Sequence, residues 1–309
     1  MMRQQEILSK TWTKTKKAEA LYDLGYTRNQ VADLICNGNK GFAYNIWKKW
    51  NENRTSIILP NNIINFDFLF NRKFGVEIEF YGADLNALQS NFRNQSLDFQ
   101  TESYNHSTRP HWKLVTDSSI RGNNGRELVS PVLQNKEGLI LFRKACKALR
   151  LSNAQVNGSC GVHVHLDVND YNVENFKTLV KNQFIIENQI DKMMPKSRRK
   201  NENYYCQGFV SNNQNIFFQK IDRCNTVREL ISIFNSRYYK LNLQSFQRHG
   251  TVEFRQHGAS TNYIKIKNWI LICARLVEFS KLNILLNDIN QILDENLQEY
   301  FEDRELSLQ

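Results

Sequence analysis

The fold is decided by the stretch FGVEIEF at residues 74–80, in which apolar and acidic side chains alternate. This alternation predicts a β-strand, because successive side chains in a strand point to opposite faces. The apolar side chains at 76, 78 and 80 share one face, and Glu77 and Glu79 share the other with Cα atoms roughly 7 Å apart. Two carboxylates this close repel each other unless a cation lies near both. The pair therefore indicates either a divalent metal site or the solvated outer face of an edge strand.

A second predicted strand, CGVHVHLD at residues 160–167, carries two imidazoles on one face. His163 and His165 alternate with the apolar residues at 162, 164 and 166, so they lie on the side opposite a predicted core. Histidines in this pattern either bind a metal ion or donate hydrogen bonds inside a polar crevice.

Two further predicted strands carry acidic side chains opposite apolar ones. ELVSP at residues 127–131 begins with Glu127, and GTVEFRQH at residues 250–257 has Glu253 and Arg255 on one face. One antiparallel sheet with helices behind it could collect all these groups on its open face. Carboxylates and an imidazole fit two or more Mg²⁺ or Mn²⁺ ions, and the lack of cysteine among them disfavours zinc.

Size and composition favour one large catalytic domain with a small appendage. The chain has 309 residues, of which 41% are hydrophobic, and its six cysteines form no CxxC pair. This pattern argues against a zinc site and against a disulfide scaffold, so we interpret the cysteines as reduced thiols. No apolar run approaches 18 residues and the N-terminus is polar, so we expect a cytoplasmic protein without a signal peptide or membrane span.

The net charge of +10 suits a polyanionic partner, and it is unevenly distributed. Residues 1–54 hold ten basic and five acidic residues, which is about half of the excess. A basic loop at residues 196–200 is either a solvated loop or a weak indication of an anionic substrate.

Residues 14–50 predict three short helices, the second capped by Thr27. The segment LGYTRNQVADLI resembles a helix-turn-helix of resolvases and transposases, with the third helix, which carries Lys48 and Lys49, in the recognition position. The alternative is a three-helix bundle that contacts protein. We therefore expect an all-α module at 1–54 that could bind nucleic acid, a linker at 55–72 and a catalytic domain at 73–309 of the α+β class.

Six short motifs follow one another in an order that resembles the amidoligase family: FGVEIEF, DSS, ELVSP, CGVHVH, RYYKLN and TVEFR. The resemblance covers about residues 73–280. It implies the fold of glutamine synthetase and γ-glutamylcysteine ligase, a curved antiparallel sheet with helices packed behind it. It also implies ATP- and Mg²⁺-dependent ligation, in which a carboxylate attacks the γ-phosphate and an amine displaces phosphate from the acyl phosphate. The carboxylate and amine substrates would be small molecules or borne on a polymer.

The resemblance also implies roles for single residues. Arg255 would steady the transferring phosphoryl group, Arg237 would bind substrate or phosphate, and His165 would contact nucleotide phosphates. Asp117 would orient the incoming amine or a ligand. The implied metal ligands are Glu77, Glu79, Glu127, His163 and Glu253.

Two other functions are compatible with the same residues. One is a metal-dependent nuclease or hydrolase that binds DNA through residues 1–54. The other is a DNA-binding regulator whose large domain senses a nucleotide or an amino acid without turnover.

Overall fold

A computed structural model describes residues 4–24, 26–54, 66, 68–199, 201, 203–209 and 213–308, with the backbone alone at 51–54. The chain divides into two compact units between residues 65 and 66. The helices are α1 Gln4–Ser9, α2 Lys14–Asp23, α3 Arg28–Ile35, α4 Lys40–Arg54, α5 Leu85–Asn94, α6 Asn135–Leu151, α7 Val173–Lys192, α8 Gln214–Asp222, α9 Val227–Ser232, α10 Ser245–His249, α11 Tyr263–Ser280 and α12 Glu295–Ser307. The strands are β1 Lys73–Phe80, β2 Phe99–Thr101, β3 Trp112–Thr116, β4 Arg126–Val129, β5 Leu133–Gln134, β6 Gly161–Asp167, β7 Leu241–Asn242 and β8 Thr251–Gly258.

The described residues of the N-terminal unit form four helices where the sequence predicts three. The predicted helices correspond to α2, α3 and α4, and α1 precedes them. Thr27 caps α3, since its hydroxyl accepts from the backbone N–H of Gln30 while the Gln30 side chain accepts from the Thr27 N–H. Asn37 and Gly38 have positive φ angles in the turn between α3 and α4, and they let the chain reverse within four residues. The helices enclose a small apolar core.

The second unit is a mixed α+β fold built on one open sheet. Its strand order is β2-β3-β4-β1-β6-β8-β7, and β5 pairs with one end of β1. All pairs are antiparallel except β2 with β3, which is parallel. The sheet is thus mostly antiparallel, as expected, and it departs from the expectation at the β2 edge, where residues 102–111 carry the chain back to the start of β2 before β3 begins.

The position of β1 decides between the two interpretations of its glutamate pair. β1 lies inside the sheet, with β4 on one side and β6 on the other. Glu77 and Glu79 are therefore not on the solvated face of an edge strand, and that alternative is wrong. Val76, Ile78 and Phe80 are buried on the opposite face, as the alternation predicts.

Helices pack on the apolar face of the sheet and leave the acidic face open. Val162, Val164 and Leu166 of β6 are fully buried, and α11 packs against β6, α6 and α7. Trp269 of α11 is also fully buried and meets Phe254 of β8 edge to face, with ring centroids 6.4 Å apart. In the described part of the chain, no helix combines the length and apolarity needed to cross a bilayer.

The predicted linker, residues 55–72, is described only at 66 and from 68 onward. These residues pack on the second unit: the ring of Phe66 lies 5.4 Å from that of Phe279. Arg72 is buried and forms ion pairs with Asp170 at 2.7 Å and Glu278 at 2.6 Å. Residues 55–65 and 67 lie outside the described part of the chain.

Candidate functional site

Cross-strand pairing gathers the acidic and imidazole side chains on the open face of the sheet. Residues directly opposite each other on neighbouring antiparallel strands have Cβ atoms about 5 Å apart on the same face. Three such pairs lie side by side across the four central strands: Glu77 with His163, Glu79 with Glu127, and His165 with Glu253. The register of the sheet therefore brings together residues that are up to 176 positions apart in the sequence.

Among the residues that the structure describes, two groups of side chains could each hold a metal ion, and both include His163. One group is Glu77, His163 and Glu253, and the other is Glu79, Glu127 and His163; in each, the ligand atoms lie within 4.8 Å of one another. Nδ1 of His163 lies 3.1 Å from Oε2 of Glu77 and 3.5 Å from Oε1 of Glu253. Nε2 lies 3.4 Å from Oε1 of Glu79. The structure thus collects all five predicted metal ligands.

The electrostatics of the cluster favour a cation. Burial raises the pKa of Glu127 well above its usual range, and the charges of Glu77 and Glu79 raise it further. Burial would also raise the pKa of Glu77, but His165 and His163 outweigh burial and hold it well below its usual range. The two imidazoles therefore offset the repulsion between carboxylates at Glu77, and they do not offset it at Glu127.

The donor set fits hard divalent cations. It consists of carboxylate oxygens and an imidazole nitrogen, which are ligands for Mg²⁺ and Mn²⁺. A neutral imidazole has one lone pair, so His163 can bind only one of two neighbouring ions. Its Nδ1 is the nitrogen nearer Glu77 and Glu253, and the Nε2–H would then be directed at Glu79 and orient the ring.

Arg255 points at the cluster from β8, and Arg237 lies at its rim. The Arg255 guanidinium donates to Oε1 of Glu253 at 2.5 Å and to the backbone oxygen of Tyr205 at 3.3 Å. Both guanidiniums approach the Tyr238 ring, at 5.7 Å for Arg255 and 5.3 Å for Arg237. Arg237 is exposed, and among the described residues its guanidinium interacts with the side chains of Tyr238 and Tyr104 and has no carboxylate partner.

A bulge in β8 accompanies the placement of Arg255. The β6–β8 register shifts between Val162 and Val164, which pair with His257 and Phe254, so β8 has one residue more than β6 in this interval. Bulges of this kind redirect side chains and are frequent beside active sites.

His165 and Asp117 occupy the walls of the same cavity. Nδ1 of His165 contacts the hydroxyls of Ser245 at 3.2 Å and Thr251 at 3.1 Å, and Nε2 lies 3.4 Å from Oε1 of Glu77. Burial lowers the pKa of His165, but Glu77 outweighs burial and the net shift is upward. Asp117 caps its own turn by accepting from the backbone and hydroxyl of Ser119, and it does not belong to either metal group.

All the predicted site residues line one cavity of about 1300 Å³. This volume is ample for a nucleotide and a second substrate, since ligand pockets of drug-sized molecules occupy roughly 300–1,000 Å³. Its lining residues include Glu77, Glu79, Asp117, Glu127, His163, His165, Arg237, Glu253 and Arg255.

Asn242 and Lys113 are among the residues of the site that were not assigned a role from the sequence. Asn242 of β7 donates to Oε2 of Glu253 at 2.6 Å and so orients this carboxylate. Lys113 of β3 is buried, and its ammonium donates to the backbone oxygens of Asn105 and Ser107, both at 2.9 Å. It thereby holds the loop that covers one side of the cavity. A lysine inside the apolar strand WKLV was a signal that could have been used.

The fold and the site define a mixed α+β protein with a carboxylate–histidine cluster and arginines on the open face of a sheet. A protein-family comparison matches residues 70–277 to the family described as "Putative amidoligase enzyme". The match covers more than half of the sequence, and the chain belongs to this amidoligase family. The resemblance predicted from the six motifs is thus confirmed. A search of curated proteins found no match. Membership of the family indicates a ligase-type enzyme.

Removing one carboxylate should separate the metal-binding role of the cluster from a structural one. Glu127→Gln keeps the shape of the side chain and replaces the carboxyl group whose pKa is raised by burial and by the neighbouring Glu77 and Glu79. We expect the metal-free protein to unfold at an equal or higher temperature than wild type, and the stabilisation by millimolar Mn²⁺ to fall by about 1–3 kcal/mol. Thermal unfolding with and without Mn²⁺ measures both effects.

The matched control is Glu137→Gln, which removes a carboxylate from the exposed surface of α6. This variant should keep the wild-type response to Mn²⁺. A full Mn²⁺ response in Glu127→Gln would contradict the proposed ligand set.

Proposed function

We propose that the protein is an ATP- and Mg²⁺-dependent carboxylate–amine ligase that forms an amide through an acyl phosphate. One observation carries the proposal: the carboxylates, histidines and arginines on the open face of the sheet line a single cavity within the region matched to the amidoligase family. The proposal includes the glutamine synthetase type of sheet, which the mostly antiparallel strand order supports.

In this proposal the acidic face holds the divalent ions. Glu77, His163 and Glu253 would bind one Mg²⁺, and Glu79 and Glu127 would bind a second. Bound there, the ions would neutralise the β- and γ-phosphate oxygens of ATP. Asn242 keeps the Glu253 carboxylate oriented, and the interior position of β1 keeps its two carboxylates fixed relative to the rest of the sheet.

The arginines and His165 would act on the phosphates. A carboxylate oxygen of the substrate attacks the γ-phosphorus, and the bond to the β–γ bridging oxygen breaks and releases ADP. Negative charge on the transferring group develops next to the Arg255 guanidinium, which lies beside the cluster through its contact with Glu253. Arg237, at the cavity rim, would bind a phosphate or the anionic end of a substrate.

The second half of the reaction forms the amide. The amine nitrogen attacks the acyl carbon, the bond from that carbon to the phosphate oxygen breaks, and inorganic phosphate leaves with the electron pair. The amine loses a proton in this step, which the departing inorganic phosphate can take up, and we assign the orientation of the amine to Asp117 on the cavity wall.

An ATP-consumption screen tests the proposal as a whole. The enzyme with Mg²⁺ and ATP is incubated with pools of amino acids, polyamines and nucleic acids, and products are identified by mass spectrometry. We expect ADP and phosphate to form only when both a carboxylate and an amine are present, with a product that has lost one water relative to the two substrates. Cleavage of nucleic acid without ATP would instead indicate a nuclease, and ATP binding without turnover would indicate a regulator.

Arg255→Lys should separate ligand binding from chemistry. The planar guanidinium can contact two phosphoryl oxygens at once, whereas an ammonium is a point charge, so the loss falls mainly on the transition state. We expect kcat to fall by about 10²-fold or more while the Kd of MgATP changes by less than about threefold. Arg93→Lys on the exposed side of α5 is the control and should behave as wild type. A wild-type kcat in Arg255→Lys would remove this residue from the mechanism.

We also propose that the N-terminal unit attaches the ligase to nucleic acid and takes no part in the chemistry. The α3–turn–α4 arrangement supports a helix-turn-helix with α4 in the recognition position. Lys48 and Lys49 are exposed on α4, while Arg28 is buried with its guanidinium 4.5 Å from the Trp47 ring. Exposed lysines on α4 and an excess of five positive charges suit contacts to phosphates.

Removal of residues 1–54 should abolish retention of DNA or RNA and leave ATP turnover intact, because every proposed catalytic side chain lies in the second unit. In the full chain, we expect the double variant Lys48→Ala/Lys49→Ala to bind duplex DNA with a weaker salt dependence. The slope of the logarithm of the association constant against the logarithm of the salt concentration should become less steep by about 2. Lys196→Ala, in the basic loop of the second unit, serves as the control and should leave the slope unchanged. Equal binding by the truncated and full chains would identify the helices as a protein-contact element.

A further inference from the structure

A lysine with no assigned role is buried behind the acidic face of the sheet. Lys240 immediately precedes β7, and no part of its side chain is exposed to solvent. Its ammonium lies 2.7 Å from Oδ1 of Asp191 and 3.4 Å from Oε1 of Glu187, both on α7. The three residues form a buried ion network that lines no part of the cavity.

The network connects α7 to two elements that border the cavity. Gln256 of β8 donates to Oδ1 of Asp191 at 2.6 Å, and Oε2 of Glu187 accepts from the backbone N–H of Phe209 at 2.7 Å. A Cβ atom at Gly208 would lie 2.0 Å from Oε1 of Glu187, so the backbone of this segment approaches the carboxylate as closely as glycine allows.

The backbone of Lys240 joins the same elements from the other side. Its carbonyl oxygen accepts from the N–H of Arg255 at 2.8 Å, and its own N–H donates to the oxygen of Gln207 at 2.8 Å. The segment at 203–209 then returns to Arg255, since the backbone oxygen of Tyr205 accepts from the Arg255 guanidinium and the Cys206 thiol contacts the Arg255 carbonyl at 3.5 Å. Arg255 is thus bonded at its backbone to Lys240, and at its side chain to the segment at 203–209, which Lys240 bonds at Gln207.

Stability alone is a weak reason for such a network. Replacing a buried ion pair by apolar residues is often neutral or stabilising, whereas removing one partner leaves a buried charge unpaired. An ion network does, however, fix the distance between its members more narrowly than apolar packing does, because its hydrogen bonds are directional.

We propose that Lys240 is a positioning residue for Arg255: with Asp191 and Glu187 it holds β8 and the segment at 203–209 so that the Arg255 guanidinium is directed at the metal cluster. The inference rests on the proposed ligase function for the role of Arg255. A misplacement of about 1 Å in a catalytic group can cost about 10²-fold in rate, so a network outside the cavity can control turnover.

Lys177 of α7, the helix that carries Asp191 and Glu187, provides a control. It is also buried, and its ammonium lies 2.8 Å from Oε1 of Glu174 and 3.3 Å from the backbone oxygen of Asp222. It does not line the cavity, and within the described part of the chain its ammonium bonds to Glu174 and Asp222 and not to the segment at 203–209. Lys177→Met and Lys240→Met therefore remove the same ammonium from two ion pairs of α7, only one of which reaches Arg255.

The first measurement follows the segment itself and needs no substrate. All six cysteines are buried, so iodoacetamide labelling of the full native chain, mapped by mass spectrometry, reports local opening at each thiol. In Lys240→Met we expect Cys206 to be labelled at least about tenfold faster than in wild type, with Cys146 and Cys273 unchanged. Lys177→Met should label as wild type at all three positions. Unchanged labelling of Cys206 in a folded Lys240→Met overturns the inference.

The second measurement uses the carboxylate and amine pair that supports ATP turnover. We expect Lys240→Met to lower kcat by about tenfold or more with little change in the Kd of MgATP, as a displaced Arg255 would. A wild-type kcat in this variant also overturns the inference. If Lys240→Met does not fold, Asp191→Asn weakens the same contact while keeping its shape, and the same two outcomes apply. A wild-type protein without turnover on any pair would refute the proposed ligase, and the Cys206 labelling would still decide whether Lys240 holds the segment.

Discussion

The structure of the second unit depends on the concentration of negative charge on one face of an interior strand. β1 is paired on both sides and buried behind, so Glu77 and Glu79 cannot move away from the sheet or from each other. Glu127 and Glu253 are added to them by the strand register. Placing unpaired charges in such a position costs several kcal/mol per group, and a bound cation removes most of that cost.

The neighbouring groups can be understood as responses to this charge. His163 and His165 stand between the carboxylates and lower the pKa of Glu77. Arg255 and the two imidazoles lower the pKa of Glu253, although burial alone would raise it. The pKa of Glu127 stays raised, because burial raises it and the acidic neighbours Glu77 and Glu79 raise it further. The positive charge that the protein itself supplies therefore acts mainly on Glu77 and Glu253, and it does not keep the pKa of Glu127 low.

The alternation of side chains allowed much of this arrangement to be predicted. The four strands and the faces that their polar residues share follow from local periodicity, which the chain reveals directly. The strand order and the parallel pair of β2 with β3 do not, because they depend on contacts between distant segments. The N-terminal α1 was missed since six residues give too few turns for a clear period.

Strand alternation predicts which site residues of one strand share a face, but it does not predict which strands lie next to each other. Glu77 and Glu79 share a face by geometry alone, but their approach to Glu253 requires β6 between them and β8. Lys240 and Lys113 were not assigned because a buried lysine is recognisable only from what surrounds it. Asn242 has the same difficulty, as its role lies in one hydrogen bond to a neighbouring strand.

The central claim is that the acidic face binds divalent ions which hold the phosphates of ATP. The most direct test is anomalous X-ray diffraction measured at the absorption edge of manganese, from crystals grown with Mn²⁺ and a non-hydrolysable ATP analogue. The account predicts anomalous peaks at the Glu77, His163 and Glu253 group and beside Glu79 and Glu127, with the analogue's γ-phosphate facing Arg255. An ordered analogue elsewhere, or a cluster without manganese in crystals that bind Mn²⁺ at other positions, would contradict it.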